Sequence, residues 1–198
     1  MKKKWPVILI VAACMIAFIA LPMRASSLTI RITLDPNFPI DANTFYLYYA
    51  VDGSGFTEEQ VIPATYSEEK GILSFALDSS LAGHLTGLRL DFPNQEQVVG
   101  LRDVTVSSAG IVKQRYNPYF LLAPENLKAQ NGLYALDRVE SRAKAYVGTT
   151  PEDPYLVLSD AISLQIARSF SHYRLTRLLL CLFICACVVS YYKKPFKE

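Results

Sequence analysis

Tyrosines are the side chains of this chain whose type and spacing best suit ligand binding. Tyr46 and Tyr48 alternate along one strand-like segment, and Tyr116 and Tyr119 flank Asn117-Pro118. Exposed tyrosine rings can stack on the apolar faces of sugars, whereas buried rings contribute a large area to a hydrophobic core. The sequence leaves both roles open, and these four tyrosines are the first candidate ligand-binding residues.

Acidic residues supply the second set of candidates. Asp153 lies directly before a proline and Asp91 two residues before one, positions where an aspartate commonly caps a turn and could also bind a ligand. The pairs Glu58-Glu59 and Glu68-Glu69 are flanked by turn residues, which favours solvated loops. The sequence contains no Ser/His/Asp order, P-loop, dinucleotide fingerprint or clustered metal ligands. We therefore predict no catalytic residue, no metal site and no cofactor, and expect a protein that is not an enzyme.

The segments that carry these residues alternate as half-buried β-strands do. In Leu28–Leu34, apolar and polar side chains follow each other with a period of two. Eight or so such segments, separated by turn residues, predict an all-β sandwich in one domain. The predicted strands are Leu28–Leu34, Thr44–Asp52, the weaker Gln60–Ala64, Leu73–Leu77, Leu88–Phe92, Val98–Ser107, Ile111–Arg115, Ser141–Val147 and Tyr155–Leu158. Predicted core positions are Ile30, Ile32, Phe75, Leu88 and Leu90, with Arg31 and Arg89 facing outward.

Three segments depart from simple alternation. The apolar phase of Val98–Ser107 slips, which predicts a β-bulge at Arg102-Asp103 and a hairpin with Ile111–Arg115. A short helix is predicted near Glu125–Gln130. Residues 162–170 fit a strand and a helix equally well, so their structure stays open at this point.

Two uncharged apolar runs lie at the ends of the sequence. They extend from Trp5 to Met23 and from Leu178 to Tyr192. A bilayer-spanning helix needs roughly 20 apolar residues, a length that the first run meets and the second reaches only if its helix begins near Tyr173. Lysines flank both runs on their terminal sides, and such residues stay on the cytoplasmic side. The sequence thus predicts two transmembrane helices, both termini in the cytoplasm, and three regions: 1–24, an extracytoplasmic domain over 25–171, and 172–198. A cleaved signal peptide is the alternative for the first run.

Charge and cysteine usage indicate the compartment. The segment Ala25–Ser171 has 17 acidic and 11 basic side chains, a net charge of −6, which argues against nucleic acid as a partner. All four cysteines lie in the apolar runs, so the central domain is free of disulfides. With no Asn-x-Ser/Thr acceptor in the sequence, we expect a protein of the bacterial plasma membrane.

Two short stretches resemble a known domain. Leu88-Arg89-Leu90-Asp91 followed by Val98–Ser107, and Asp153-Pro154-Tyr155-Leu156 within Gly148–Leu158, are similar to motifs of an extracytoplasmic β-sandwich. That sandwich occurs in bacterial membrane proteins of cell-surface polysaccharide assembly, often beside glycosyltransferases. The resemblance implies a jelly-roll-like, carbohydrate-binding-module-like fold. Here Phe92 separates Asp91 from the proline, and relatives with an enzyme continue through many more spans, so no catalytic residue is carried over.

These observations predict a membrane-anchored accessory protein that binds glycan or positions a polytopic glycosyltransferase partner. Two alternatives remain at this point. One is a structural subunit whose helices and sandwich contact only other proteins. The other is the amino-terminal part of a split glycosyltransferase.

Overall fold

The computed structural model describes residues 11–12, 16, 25–37, 44–136, 144–171, 179 and 181–186. Residues 26–171 form one compact unit, and the chain ends form a second. The predicted spans lie mostly outside the described residues, and the parts of them that are described are helical. Within the described residues, no helix combines the length and hydropathy needed to cross a bilayer.

Residues 26–171 form a sandwich of two antiparallel sheets, as the sequence predicts at this level. The seven-stranded sheet has the order β10-β11-β7-β1-β5-β4, with β8 also paired to β7. The five-stranded sheet has the order β3-β2-β6-β12-β9. The strands are β1 (Leu28–Leu34), β2 (Tyr46–Val51), β3 (Val61–Pro63), β4 (Thr65–Ser67), β5 (Ile72–Leu77), β6 (Leu85–Asp91), β7 (Gln97–Ser108), β8 (Ile111–Tyr116), β9 (Leu127–Asn131), β10 (Leu133–Leu136), β11 (Ala145–Thr149) and β12 (Tyr155–Leu158). The helices are α1 (Pro118–Leu121) and α2 (Asp160–Ala167), with single 3₁₀ turns at Glu68–Lys70, Ser79–Leu81 and Pro124–Asn126.

The core lies between the sheets and is built from the alternating positions of the strands. In β1 every second residue is buried, and Ile30 and Ile32 pair on both sides with apolar residues, Phe75 and Leu73 of β5 and Val106 and Val104 of β7. From the other sheet, Leu88 and Leu90 of β6 point into the same core. All five predicted core residues are buried, and Arg31 is exposed, so the predicted alternation is confirmed.

The predicted bulge and hairpin of β7 are also confirmed. Opposite β1, Thr33 pairs with Asp103 and Leu34 pairs with Leu101, so Arg102 is the extra residue. Strand β8 pairs with β7 across a turn in which Ala109 and Gly110 have φ angles of 52° and 76°. Positive φ at both central residues is typical of the tight turns that match the twist of a hairpin.

The structure corrects one sequence expectation and decides one that was left open. The predicted helix at Glu125–Gln130 is wrong: a single turn at Pro124–Asn126 leads directly into β9. The side chain of Asn126 donates a hydrogen bond to the carbonyl of Phe120 at 2.7 Å, and the backbone that follows pairs with β12, so sheet pairing replaces helix formation. Residues 162–170, which fitted a strand and a helix equally well, contribute residues 162–167 to α2. The Ser159 hydroxyl caps the first turn of this helix by accepting a hydrogen bond from the amide of Ile162.

Candidate functional site

The outer face of the five-stranded sheet brings most of the candidate residues together. In the register of β2 and β6, Tyr48 lies opposite Arg89 and Tyr46 lies opposite Asp91. On the other side of β6, Asp91 pairs with Tyr155 of β12. Because side chains alternate across a strand, Leu88 and Leu90 fill the core while Arg89 and Asp91 share the outer face.

The guanidinium of Arg89 lies between two tyrosine rings. Its central carbon is 5.0 Å from the ring centroid of Tyr48 and 4.2 Å from that of Tyr155. Both distances fall in the range of cation–π attraction, which arginine favours because its planar group also stacks on a ring. The two rings therefore hold the guanidinium in a fixed orientation, across three neighbouring strands. We call Tyr48, Arg89, Asp91, Asp153 and Tyr155 the Arg89 cluster.

A bidentate ion pair completes the arrangement. Nε of Arg89 donates to Oδ1 of Asp91 at 2.7 Å, and Nη2 donates to Oδ2 at 2.6 Å. Oδ2 of Asp153 lies 3.7 Å from the same Nη2. The side chains of Arg89 and Asp91 are 22% and 11% exposed, whereas that of Asp153 is 64% exposed. The cluster thus has an anchored inner pair and an outer carboxylate in reach of solvent.

Burial governs the electrostatics of the inner pair. Desolvation raises the pKa of Asp91 above its ordinary value, because the hydrogen bonds and charge of Arg89 offset it only in part and Asp153 adds to it. For Arg89, burial acts to lower the pKa, but the two aspartates outweigh it and raise it. Burial, followed by the charge of Asp91, also raises the pKa of Tyr48. One guanidinium, that of Arg89, thus faces two carboxylates in the Arg89 cluster, those of Asp91 and Asp153.

The position of Asp153 is fixed by the turn between β11 and β12. Its φ angle is 47°, a left-handed conformation that aspartate tolerates better than most residues. The side-chain amide of Asn131 donates to the carbonyls of Glu152 and Asp153 at 2.8 and 2.9 Å. At Gly132 a Cβ atom would come within 2.8 Å of the Thr150 hydroxyl, so the two segments pack closely at this point. These contacts hold the carboxylate of Asp153 beside the guanidinium.

An open cleft of about 660 Å³ adjoins the cluster on the same strands. Ala50 and Gly87, which pair with each other two residues along from Tyr48 and Arg89, line it together with Phe56, Val157 and Leu164. A Cβ atom at Gly87 would lie 3.2 Å from that of Ala50 and 3.3 Å from the Phe56 ring, so the absence of a side chain at Gly87 lets the Phe56 ring pack closely against β6. The outer face thus combines an apolar cleft with a few oriented polar groups, the usual composition of a ligand site.

The structure separates the predicted site residues into two groups. Tyr46, Tyr48, Asp91 and Asp153 lie together on this face, and Tyr46 is 39% exposed. Tyr119 is 66% exposed but lies on α1, which follows the seven-stranded sheet through β8.

Tyr116 belongs to the core. Its ring is only 5% exposed, its hydroxyl donates to the side-chain oxygen of Gln114, and burial raises its pKa to about 12. The alternative role of a packed core ring, which the sequence left open, therefore applies to Tyr116.

Two members of the cluster had no assigned role in the sequence analysis. Arg89 was expected to face outward and Tyr155 to lie in a strand, and both belong to the stretches that resemble a known domain, but neither was a predicted ligand residue. The signal for Arg89 was its i, i+2 spacing to Asp91, which places both on one face of a strand. The described residues contain no group of three or more histidine, cysteine, aspartate or glutamate side chains arranged to hold a metal ion.

Comparisons with known proteins add no assignment to this geometry. No protein-family model matches the chain, and no curated protein or solved structure matches it at a significant level.

Proposed function

We propose that this chain is a membrane-anchored accessory protein whose extracytoplasmic, jelly-roll-like sandwich binds carbohydrate and assists a glycosyltransferase in surface-polysaccharide assembly. The observation that carries the proposal is the outer face of the five-stranded sheet. There, tyrosine rings, an oriented arginine–aspartate pair and an open cleft lie side by side on neighbouring strands.

Each part of this face matches a part of a sugar. Tyrosine rings offer apolar surface to the C–H faces of a pyranose, and Tyr46 is exposed enough to do so. The carboxylate of Asp153 accepts hydrogen bonds from sugar hydroxyls. The cleft volume of about 660 Å³ lies within the range of small-molecule sites. The inner pair fits a binding role better than acid–base chemistry, because both oxygens of Asp91 already accept hydrogen bonds from Arg89.

Two observations support anchoring at the membrane. The backbone amide of Ser26 donates to the carbonyl of Ser171 at 3.0 Å, so the chain begins and ends the sandwich at one place, as a domain between two spans requires. Beyond it, large apolar side chains are exposed on the described helical residues of the carboxyl-terminal run, namely Leu179, Leu182, Phe183 and Ile184. Exposed apolar surface of this kind is suited to lipid.

A structural subunit that contacts only proteins is the second candidate. It is favoured by exposed apolar side chains on β8 and α1, which are Ile111, Val112, Tyr119 and Phe120. Apolar residues exposed close together in sequence are typical of protein-binding surfaces.

The test is binding of the host's own surface polysaccharide to the full chain in lipid nanodiscs. Replacing the exposed ring in Tyr46→Ala should weaken binding by about 1–3 kcal/mol, with base–aromatic stacking as the nearest calibrated analogue. The matched control is Tyr119→Ala, which removes an exposed ring on α1, the helix that follows β8 of the other sheet. This variant should leave the affinity unchanged.

An equal loss in both variants, or no binding at millimolar sugar, would contradict the proposal. An affinity weaker than millimolar corresponds to less than about 4 kcal/mol. Copurification of a protein partner without glycan would then favour the structural subunit.

A further inference from the structure

The outer face of the five-stranded sheet carries an excess of negative charge. Nε and Nη2 of Arg89 donate to the two carboxylate oxygens of Asp91, at 2.7 and 2.6 Å. The cation at the cleft, Lys128, lies 2.8 Å from the carboxylate of Asp160. Each cation on this face is thus matched by its own carboxylate, and Asp153 remains as an additional, solvent-facing negative charge.

The charges that act on the Tyr48 ring show the same excess. Besides burial, which raises the pKa of the Tyr48 hydroxyl most, the negative charges of Asp91, Glu58 and Asp153 raise it, and the positive charge of Arg89 lowers it. A ligand that stacks near this ring enters a negative potential. Long-range attraction from the acidic central domain would not offset it, because Ala25–Ser171 has a net charge of −6.

Hydrogen-bonding capacity points in the same direction. An ionised carboxylate only accepts hydrogen bonds, so Asp153 needs a ligand that donates. Sugar hydroxyls donate, whereas the carboxylate of a uronic acid and the oxygens of a phosphate or sulfate ester do not at neutral pH. An anionic group placed beside Asp153 would also bring two like charges close together, which is unfavourable.

We propose that this face selects neutral glycans and rejects glycans that carry uronate, phosphate or sulfate groups. This rests on the proposed carbohydrate-binding function and adds the class of ligand to it. The apolar cleft lined by Ala50, Gly87 and Phe56 accommodates the neutral chain, and Asp153 supplies the discrimination.

The experiment compares sugars that differ only in charge. The full chain in nanodiscs is titrated with a panel of uronic-acid oligosaccharides and with the carboxyl-reduced, neutral form of each. We expect the neutral form to bind at least about tenfold more tightly, which corresponds to about 1.4 kcal/mol. We also expect this ratio to shrink as salt is added, because salt screens charges exposed to solvent.

The variant Asp153→Asn tests the residue itself. Asparagine has nearly the same shape and also tolerates a positive φ, so the turn is retained while the charge is removed. The preference for the neutral form should fall several-fold in this variant. The matched control, Glu68→Gln, removes one exposed carboxylate from the turn that precedes β5 in the other sheet and should keep the preference.

The outcomes separate the two proposals. Tighter binding of the uronates, or an unchanged preference in Asp153→Asn, would overturn the charge selectivity and leave carbohydrate binding in place. Absence of binding by both members of every pair would overturn carbohydrate binding, and the selectivity with it.

Discussion

Two regions of the sandwich combine an aspartate with a cation and a tyrosine, and they differ in depth. Beside the seven-stranded sheet, Asp35 accepts hydrogen bonds from Lys144 at 3.1 Å and from the Tyr146 hydroxyl at 3.2 Å, and is 1% exposed. We call these three residues the Asp35 cluster. In the Arg89 cluster, the tyrosines contact the cation through their ring faces, and Asp153 is mostly exposed.

The difference in depth indicates a difference in role. Asp35 also accepts a hydrogen bond from the backbone amide of Asn37, so its donors come from three positions around it. A fully surrounded carboxylate can fix the chain but has no access to a ligand. In the Arg89 cluster the inner pair is fixed in the same way, while the rings and Asp153 retain exposed surface. Similar residue types therefore build a structural element in one sheet and a candidate site in the other.

The largest expected effect is on stability and comes from the Asp35 cluster. Asp35→Ala leaves Lys144 and Tyr146 without their buried acceptor, so we expect the free energy of unfolding to fall by about 3 kcal/mol. The comparison variant, Asp153→Asn, removes an exposed charge, keeps a residue that tolerates the positive φ, and should cost less than about 1 kcal/mol. Denaturant unfolding of the purified chain measures both. Equal losses would mean that depth does not distinguish the two clusters.

A smaller effect is expected when only the tyrosine hydroxyls are removed. Tyr146→Phe takes a donor away from a buried carboxylate and should lower the free energy of unfolding by about 1–2 kcal/mol. Tyr155→Phe keeps the ring face that lies 4.2 Å from the Arg89 guanidinium, so its stability should stay close to that of the parent chain. A marked loss in Tyr155→Phe would show that this ring is held through its hydroxyl.

The same comparison shows what the sequence could reveal. Period-two alternation predicted that Leu88 and Leu90 are buried and that Arg89 faces outward, because alternation is a local property of one strand. The partners of Arg89 come from β2 and β12, and the partner of Asp35 at position 144 is 109 residues away. Strand register and the order of strands in a sheet set these contacts, and neither can be determined from local periodicity.

Short strands and turns were the other limit. Strand β4 has three residues and β10 has four, too few for alternation to stand out. The predicted helix near Glu125–Gln130 failed because pairing with β12 outweighed the local helix preference. Among the predicted ligand residues, those on long alternating strands lie on the candidate face, whereas Tyr116 follows the exposed residues of β8 and turns into the core.

The smallest expected effect is an opposite pH dependence of the two aspartates. Burial alone would raise the pKa of Asp35, but hydrogen bonds from Lys144, Asn37 and Tyr146, with the charge of Lys144, lower it below its ordinary value. The pKa of Asp91 is raised, chiefly by desolvation. Asp35 therefore contributes stability that is present above its unfolded pKa of about 3.9 and is lost as the pH falls through its lower folded value.

Asp91 acts with the opposite sign. Its folded form binds a proton more tightly than the unfolded chain does, so stability decreases as the pH rises from about 3.9 through the raised folded value. Measured against pH, Asp35→Asn should flatten the loss of stability below about pH 4, and Asp91→Asn should remove the decrease above it. If the two variants changed the pH dependence of stability in the same direction, the distinction would be contradicted. That distinction is between Asp35, whose charged form is favoured by its hydrogen-bond donors, and Asp91, whose charged form is disfavoured by burial.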